Sequence, residues 1–418
     1  MSKPEFSSAN IVQVTKSAIA QLTAKGFNGV NTDDLTALNS QYIVDLGEAL
    51  NISDGVIDNN SYADIFFKAL INQIGKVVVD TRSYVAQLPS LFVDPVIWGL
   101  VSEHIMIDLS DVMVDEAWNP AGFIGMNETG GLAEGQRIAG IEFGCYKPAV
   151  RAKLYQKAHG IMTALTIARD QMFTAFQSLS QYESFVSGLY ASVENTIQLK
   201  SEIYALMTVS MGIAKAKANS NEINLLSEYK TATGNNTLTA AKALEDDNFL
   251  KFSLRRIAET RDYIKRFSAA YNNHEHVTFA PETELILLSQ YEKSVLFMES
   301  GIYHPDKLAI GEYDRVASWQ AVTAANNANP YNFATASSIS LSATAAEEAG
   351  LGTETGAGNI TGVVAVLYDR YAMGITLDKR ATTSAPCASR MSTNFFYHSL
   401  VNYIVNDEYP IVSFVVRD

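Results

Sequence analysis

The chain has 418 residues, 47% of them hydrophobic and 18% charged, which excludes disorder as its main state and leaves room for two to three domains of roughly 150 residues. Its 31 Lys and Arg against 45 Asp and Glu give a formal charge of -14, which excludes bulk attraction to nucleic acid or anionic lipid. Two cysteines, Cys145 and Cys387, exclude a disulfide framework and a four-cysteine zinc site. No apolar run approaches the ~20 residues of a membrane span, and the first residues do not read as a secretory signal. The expectation is a soluble cytoplasmic product.

The N-terminal region reads as short amphipathic helices. Ile11, Val14, Ala18 and Leu22 recur at three and four residues, with Gly26 in a C-cap position. Leu35, Leu38, Tyr42 and Leu46 repeat the pattern behind Asn31 and Thr32 as caps. A third stripe, Tyr62, Phe66, Leu70 and Ile74, is expected to stop at Gly75 before a strand-like run from Val77 to Val79. Such stripes must bury on something else, so the region reads as an arm.

From His104 the period shortens to two, through Ile105, Ile107 and Leu109, then Val112 and Val114. A Gly-rich stretch from Asn119 to Gly131 follows, then a returning segment from Tyr146 to Ala158. The outward limb carries Asp108, Asp111, Asp115 and Glu116 with no base, and the return limb carries Lys147, Arg151, Lys153 and Lys157 with no acid. This charge-polarised hairpin suits two readings: cross-strand ion pairs within it, or docking on a neighbouring subunit.

The strongest helix signal comes next. Ser180 and Glu183 form a capping box, and Phe185, Leu189, Val193, Ile197, Tyr204, Met207, Met211 and Ala214 hold a stripe with no proline from Ser180 to Lys217. A helix of that length, with Gly188 and Gly212 as places to bend, reads as a spine for other elements. Gly234 marks a loop, and a second long helix carries Leu250, Leu254, Ile257, Ile264, Phe267 and Tyr271 on one face, headed by Asp246 and Asp247 as capping acids. Then come a short strand near Val277 to Phe279, a strand from Leu285 to Leu288, and a helix opened by a box at Ser289 and Glu292. Between Arg315 and Asp369 the only charges are Glu347, Glu348 and Glu354, so partly buried loops are expected there. Strand-like text closes the chain, from Val363 to Leu367, Met373 to Leu377, and Pro410 to Val416.

A search for site chemistry returns little. The glycines Gly356, Gly358 and Gly362 lack a P-loop lysine and precede a strand, so no nucleotide site is expected. His274 and His276 could share a metal only in a strand and with a third ligand that the sequence does not offer, so no metal is expected. His104, His159, His304 and His398 read as structural histidines. No nucleophile motif stands out, and Trp98, Trp118 and Trp319 lack the basic groove of a nucleic-acid stacking platform. No catalytic residue and no cofactor is expected.

The order of arm, hairpin, spine helix, mixed segment, uncharged loops and closing strands resembles the major capsid proteins of tailed bacteriophages, with the Hong Kong 97-like fold. The local likeness lies in Asp64 to Val79, in Tyr182 to Tyr190 at the start of the spine helix, and in Val363 to Gly374. The resemblance implies an α+β fold: an N-terminal arm over 1–75, an extended E-loop over 104–165, a peripheral domain of 76–103 and 166–272 with its spine helix at 180–217, an axial domain over 273–362, and closing strands over 363–418 shared by both. It implies no enzyme but a subunit that self-assembles in hexamers and pentamers into an icosahedral or prolate shell. The shell would enclose double-stranded DNA without binding it specifically, with scaffolding and portal proteins as partners and no membrane. Assembly would take place in the host cytoplasm, giving a virion capsid. The eight charged residues of the hairpin, Asp108, Asp111, Asp115, Glu116, Lys147, Arg151, Lys153 and Lys157, become candidate intersubunit contacts. An encapsulin-like compartment shell and a soluble α/β enzyme are the other readings.

Overall fold

A computed structural model describes residues 8–27, 39–50, 61–77, 88–92, 102–107, 150–155, 158–273, 277–298, 313–319, 337–352 and 358–418. Three helices come first, α1 (Ser8–Thr23), α2 (Ser40–Ala49) and α3 (Tyr62–Val77). Beyond α1, Gly26 takes the left-handed φ of +92° and the Phe27 amide returns to the Leu22 carbonyl at 3.2 Å, the expected glycine C-cap. α2 starts later than its stripe suggests, because the Asn39 side chain accepts from the Tyr42 amide at 2.7 Å and fixes the N-cap there. Asn31, Thr32, Leu35 and Leu38 lie outside the described residues. α3 runs through Gly75 to Val77, correcting the stop expected there; a glycine in helical conformation weakens a helix without ending it.

The next elements are β1 (Ser102–Ile107), β2 (Val150–Tyr155), β3 (Ala158–Ala168), α4 (Arg169–Ala175) and α5 (Leu179–Ala218). The 40 residues of α5 span about 60 Å at 1.5 Å each, unbroken at Gly188 and Gly212. The N-cap lies two residues before the expected one, and it is a serine cap without the box. Ser178, in extended conformation, accepts from the Gln181 amide at 3.4 Å, so the signal at Ser180 and Glu183 lies inside the first turn.

There follow β4 (Glu222–Asn224), α6 (Leu225–Thr233), α7 (Ala240–Ala243), α8 (Asp247–Ile264), β5 (Thr283–Leu288), α9 (Ser289–Leu296) and β6 (Asp314–Val316). Asp246 caps α8 by accepting from the Phe249 amide at 2.7 Å. Replacing Asp246 with alanine is expected to lower subunit stability by about 1 kcal/mol in urea unfolding; an unchanged midpoint would show that the cap contributes nothing. Phe267 and Tyr271 fall beyond the end of α8 and leave its face. The box expected at Ser289 does not form: α9 follows β5 directly with Leu288 at its N-cap, and the buried Glu292 instead accepts from the Tyr313 hydroxyl at 3.1 Å and pairs with Arg315 at 3.4 Å. The last elements are β7 (Ile339–Ser340), α10 (Ala343–Glu348), β8 (Asn359–Ile360), β9 (Val363–Asp369), β10 (Met373–Cys387), β11 (Ser392–Val405) and β12 (Ile411–Val415).

Among the described residues the strands form a five-stranded sheet, a three-stranded sheet and two two-stranded pairs, β1-β2 and β7-β8, and the two larger sheets pack into two cores that share α5. The sheet ordered β4-β12-β9-β5-β6 lies over the second half of α5, where Ala205, Val209, Ile213 and Ala216 are buried. This departs from the expected stripe, since Met207 is 46% exposed. At Gly212 an added Cβ would collide with the sulfur of Met373, the first residue of β10, so the helix approaches that strand at a distance that a side chain at position 212 forbids. Trp319 and the aliphatic residues of β5, β9 and β12 complete this core.

The sheet ordered β10-β11-β3 covers the first half of α5. There Tyr182, Val186, Leu189, Tyr190, Val193 and Ile197 meet α1, α2, α3 and α4 in the second core. Phe67 is its centre, with ring centroids of Phe66, Phe176, Phe185 and Phe395 between 5.6 and 6.4 Å away. Polar ties accompany the packing: Tyr190 donates to the Leu70 carbonyl at 2.7 Å, and the buried Asp64 takes both Lys68 at 2.8 Å and the Ser384 hydroxyl at 2.6 Å. The N-terminal helices, expected as an arm, thus bury their stripes within the same subunit.

Candidate assembly surfaces

The charged hairpin is the first candidate surface. β1 and β2 pair antiparallel with Ile107 opposite Val150, which establishes the two-stranded base of the expected hairpin. Arg151 stands opposite Met106 and Lys153 opposite His104. The limb's acids all follow Ile107 in sequence, whereas these two bases pair with residues that precede it, so neither faces an acid directly across the ladder. Ile105 is 59% exposed and Ala152 is exposed as well, leaving apolar surface at the hairpin base. Asp108, Asp111, Asp115, Glu116, Lys147 and Lys157 lie outside the described residues.

The second candidate surface is the outer face of the three-stranded sheet. In β3 the inward residues Ile161, Thr163 and Ile167 are buried, while Met162, Ala164 and Thr166 are exposed. The antiparallel register sets His398 beside Met162, Phe396 beside Ala164 and Asn394 beside Thr166. Ala381, Thr383 and Ala385 of β10 continue the same rows. Apart from Asp378, Lys379 and Arg380, the three strands contain no Asp, Glu, Lys or Arg, unusual for a chain with a net charge of -14. His398 is spent on a 3.0 Å hydrogen bond with the Thr383 hydroxyl.

Of the residues weighed for chemistry, Trp319 and Gly362 are described and make structural contacts, while Trp98, Trp118, Cys145, His274, His276, His304 and Gly356 lie outside the described residues. Trp319 is 1% exposed and its indole donates to the Val363 carbonyl at 2.8 Å, which excludes it from a stacking platform. Gly362 has φ +73°, and an added Cβ would strike the Val416 carbonyl oxygen, so the glycine serves the close approach of β9 to the end of β12. Among the described residues no group of three or more His, Cys, Asp and Glu is placed to hold a metal; His274 and His276 lie outside them. Among the described residues no helix is long and apolar enough to cross a membrane. Cys387 is a free thiol whose pKa the Ser389 hydroxyl lowers.

One carboxylate carries no signal in the sequence. Asp369 ends β9 just before the chain crosses to β10, and it is 1% exposed. Burial pushes its carboxyl up to about 6; the Tyr371 amide, donating at 2.8 Å, offsets this in part, and the charge of Glu282 adds to the rise. Its Oδ2 has no hydrogen-bond partner among the described residues.

The hairpin base, with its exposed apolar residues, and the nearly uncharged outer face of the three-stranded sheet are extended surfaces of the kind that packs against other subunits. The model of the family described as "Phi29-like phage major capsid protein" matches residues 39–415. The chain belongs to that family, and it is a shell-forming major capsid protein of a tailed phage. Its place is the virion capsid.

Solved structures similar to the chain include the capsid of Staphylococcus phage Andhra, with 12% identity, a TM-score of 0.44, and 81% of this chain and 86% of that one covered. Another is a chain of the structure of head fiber and inner core protein gp22 of bacteriophage P68, with 11% identity, a TM-score of 0.42, and coverage of 78% and 83%. A chain of Mycobacterium phage Adephagia has 9% identity, a TM-score of 0.42, and coverage of 82% and 92%. No curated protein matches the chain. The mixed helix-and-strand architecture is the expected α+β class.

Proposed function

We propose that this capsid subunit assembles as hexamers and pentamers into a closed icosahedral or prolate shell around double-stranded DNA, in the host cytoplasm, with scaffolding and portal proteins as partners. The family match over residues 39–415 carries the reading. The charge of -14 supports it further, since a wall of that charge confines a duplex without binding it tightly. No catalysis is part of the role.

In this proposal the body around the N-terminal helices, the three-stranded sheet and the first half of α5 is the peripheral part of the subunit. The body around the five-stranded sheet, with β7, β8 and α10, is the axial part. The long helix α5 is shared between the two cores and joins the two parts. The low charge between Arg315 and Asp369 suits an axial position, because symmetry-related copies of a charged loop would face like charge around the axis.

The charged hairpin reaches a neighbouring subunit in this proposal, its acids and bases meeting opposite charges there. Two observations support that use: Arg151 and Lys153 do not face acids across their own ladder, and the hairpin base exposes Ile105. Changing Lys147, Arg151, Lys153 and Lys157 together to Glu is expected to cut shell yield at least tenfold while leaving the circular dichroism of the subunit unchanged. Normal shells from that variant would exclude an essential intersubunit role for these bases.

A further inference from the structure

Six of the chain's 31 Lys and Arg fall between Lys251 and Arg266, against two acids, Glu259 and Asp262, so this stretch of an acidic protein is locally basic. Three of these cations serve contacts within the subunit. Arg255 pairs with Glu259 at 2.7 Å, Arg256 pairs with Glu228 at 2.6 Å, and Arg261 donates to the Thr283 hydroxyl at 3.0 Å. Lys265 and Arg266 differ: both are exposed, and neither pairs with an acid among the described residues. The helix dipole gives a reason for a cation at Lys265, the C-cap of α8, but not for the apolar surface on either side of it.

Beyond α8 the chain folds back on itself. Ser268 and Thr278 exchange amide-to-carbonyl hydrogen bonds at 2.9 and 3.0 Å, and the Ala280 amide returns to the Ile264 carbonyl at 3.0 Å. This backbone clasp fixes Phe267 beside Phe279, with ring centroids 4.4 Å apart and planes tilted by 52°. Despite that contact the two rings stay 57% and 41% exposed, and Tyr263 and Val277 are 59% and 44% exposed. A single exposed aromatic residue is ordinary. Four large apolar side chains on one clasped stretch, with Lys265 and Arg266 among them, mark an interaction surface.

We propose that this patch docks a segment of another protein, one that carries acidic residues together with an apolar anchor side chain. The patch selects for both features: Lys265 and Arg266 attract carboxylates, and the paired rings of Phe267 and Phe279 give an apolar side chain a rigid seat. Charge complementarity also accounts for the location. The charge of -14 repels an acidic partner from the subunit as a whole, so a locally basic patch is where its approach is favourable, whereas a basic partner would be drawn to many places. Duplex DNA supplies negative charge as phosphates and would leave the phenyl rings in water. The inference deepens the proposed partnership with assembly proteins and rests on that reading for what the partner does, not for the binding itself.

The test titrates dissociated subunits into a fluorescent, short helical peptide of Leu and Glu and reads its anisotropy. Peptides of Ser and Glu and of Leu and Lys, and a short DNA duplex, serve as comparison probes. The wild-type subunit should bind the Leu and Glu peptide at least about tenfold more tightly than any of the other three. Two double variants, Lys265→Glu with Arg266→Glu and Phe267→Ser with Phe279→Ser, should each weaken that binding by about tenfold or more. The charge variant should keep the circular dichroism and melting temperature of wild type, since both side chains are exposed. Folded variants that bind the peptide as wild type does would overturn the proposal, as would equal binding of the Ser and Glu peptide, which would make the rings irrelevant. Displacement of the peptide by the duplex would overturn it in favour of nucleic acid. Self-association of wild type that either variant abolishes without any peptide would overturn it in favour of a second copy. Because binding is read on dissociated subunits, an absence of shells, which would count against the shell-forming reading, leaves the outcome of this test intact.

Discussion

Replacing Trp319 with alanine is expected to lower the stability of the unassembled subunit by about 4 kcal/mol. Trp319 is 1% exposed in the core between the second half of α5 and the five-stranded sheet. Its indole donates to the Val363 carbonyl at 2.8 Å, at the first residue of β9, and its own carbonyl accepts from the Ser210 hydroxyl of α5 at 3.1 Å. The indole therefore fixes the start of β9, and the backbone carbonyl of the same residue ties the segment to the long helix. Truncation opens a cavity of indole size and leaves a buried carbonyl without its donor, and the two costs add. Trp319→Phe separates them: most of the volume stays, the hydrogen bond goes, and the expected loss is about 1 to 2 kcal/mol. Urea unfolding of subunits held below the assembly concentration measures both variants. A loss under about 1 kcal/mol for the alanine variant would show that Trp319 is not a packing centre.

Asp369→Asn has a smaller but still large expected effect, and its size depends on pH. The carboxyl titrates at about 6 in the folded subunit, raised from the ordinary value of 3.8 first by burial and then by Glu282, against the opposing hydrogen bond from the Tyr371 amide. A group raised in this way favours the folded state when protonated. Its stabilising contribution is complete below the unfolded pKa and is lost as pH rises through about 6. Wild type should therefore gain stability relative to Asp369→Asn by up to about 3 kcal/mol between pH 7.5 and pH 4. The groups around Asp369 include Glu282, which is exposed and paired with Arg370 at 3.0 Å, and Tyr371 and Tyr409, whose rings lie 6.1 Å apart. Because Asp369 stands where β9 gives way to β10, the effect falls on the link between the two sheets. Parallel stability profiles for the two proteins across that range would refute the buried-carboxylate reading.

The fold is legible in the sequence where a signal is local. The long helix, the glycine C-cap after α1, the aspartate cap of α8 and the strands of β5, β9 and β12 follow from spacing and capping chemistry alone. Sequence reasoning fails where two local signals compete or where partners are distant in the chain. Ser178 and Ser180 each head a serine-and-acceptor pattern, and only the backbone conformation at Ser178 decides between them. The second half of α5 buries Ala205, Val209, Ile213 and Ala216 against strands formed up to two hundred residues later, so a stripe chosen for bulky side chains finds Tyr204, Met211 and Ala214 but misses these four and includes the exposed Met207.

The long strand β10 runs ten residues past the expected end at Leu377, and β11 has no counterpart among the sequence expectations. The alternation of β11, with Thr393, Phe395, Tyr397, Ser399 and Val401 facing in, is nevertheless a period-two pattern that local spacing carries. Of the candidate surfaces, the charge polarity of the hairpin is a sequence property, but its register is not, and the register keeps Arg151 and Lys153 from acids directly across the ladder. The pairing of residues 158–168 with 392–402 is likewise invisible in the sequence, because the partners are more than two hundred residues apart.

Negative-stain electron microscopy of the purified protein, expressed alone and with a scaffolding protein, bears most directly on shell formation. Closed shells, tubes or hexameric capsomers are expected in at least one of the two preparations. A uniform monomer or dimer in both would contradict the assignment as a shell-forming subunit.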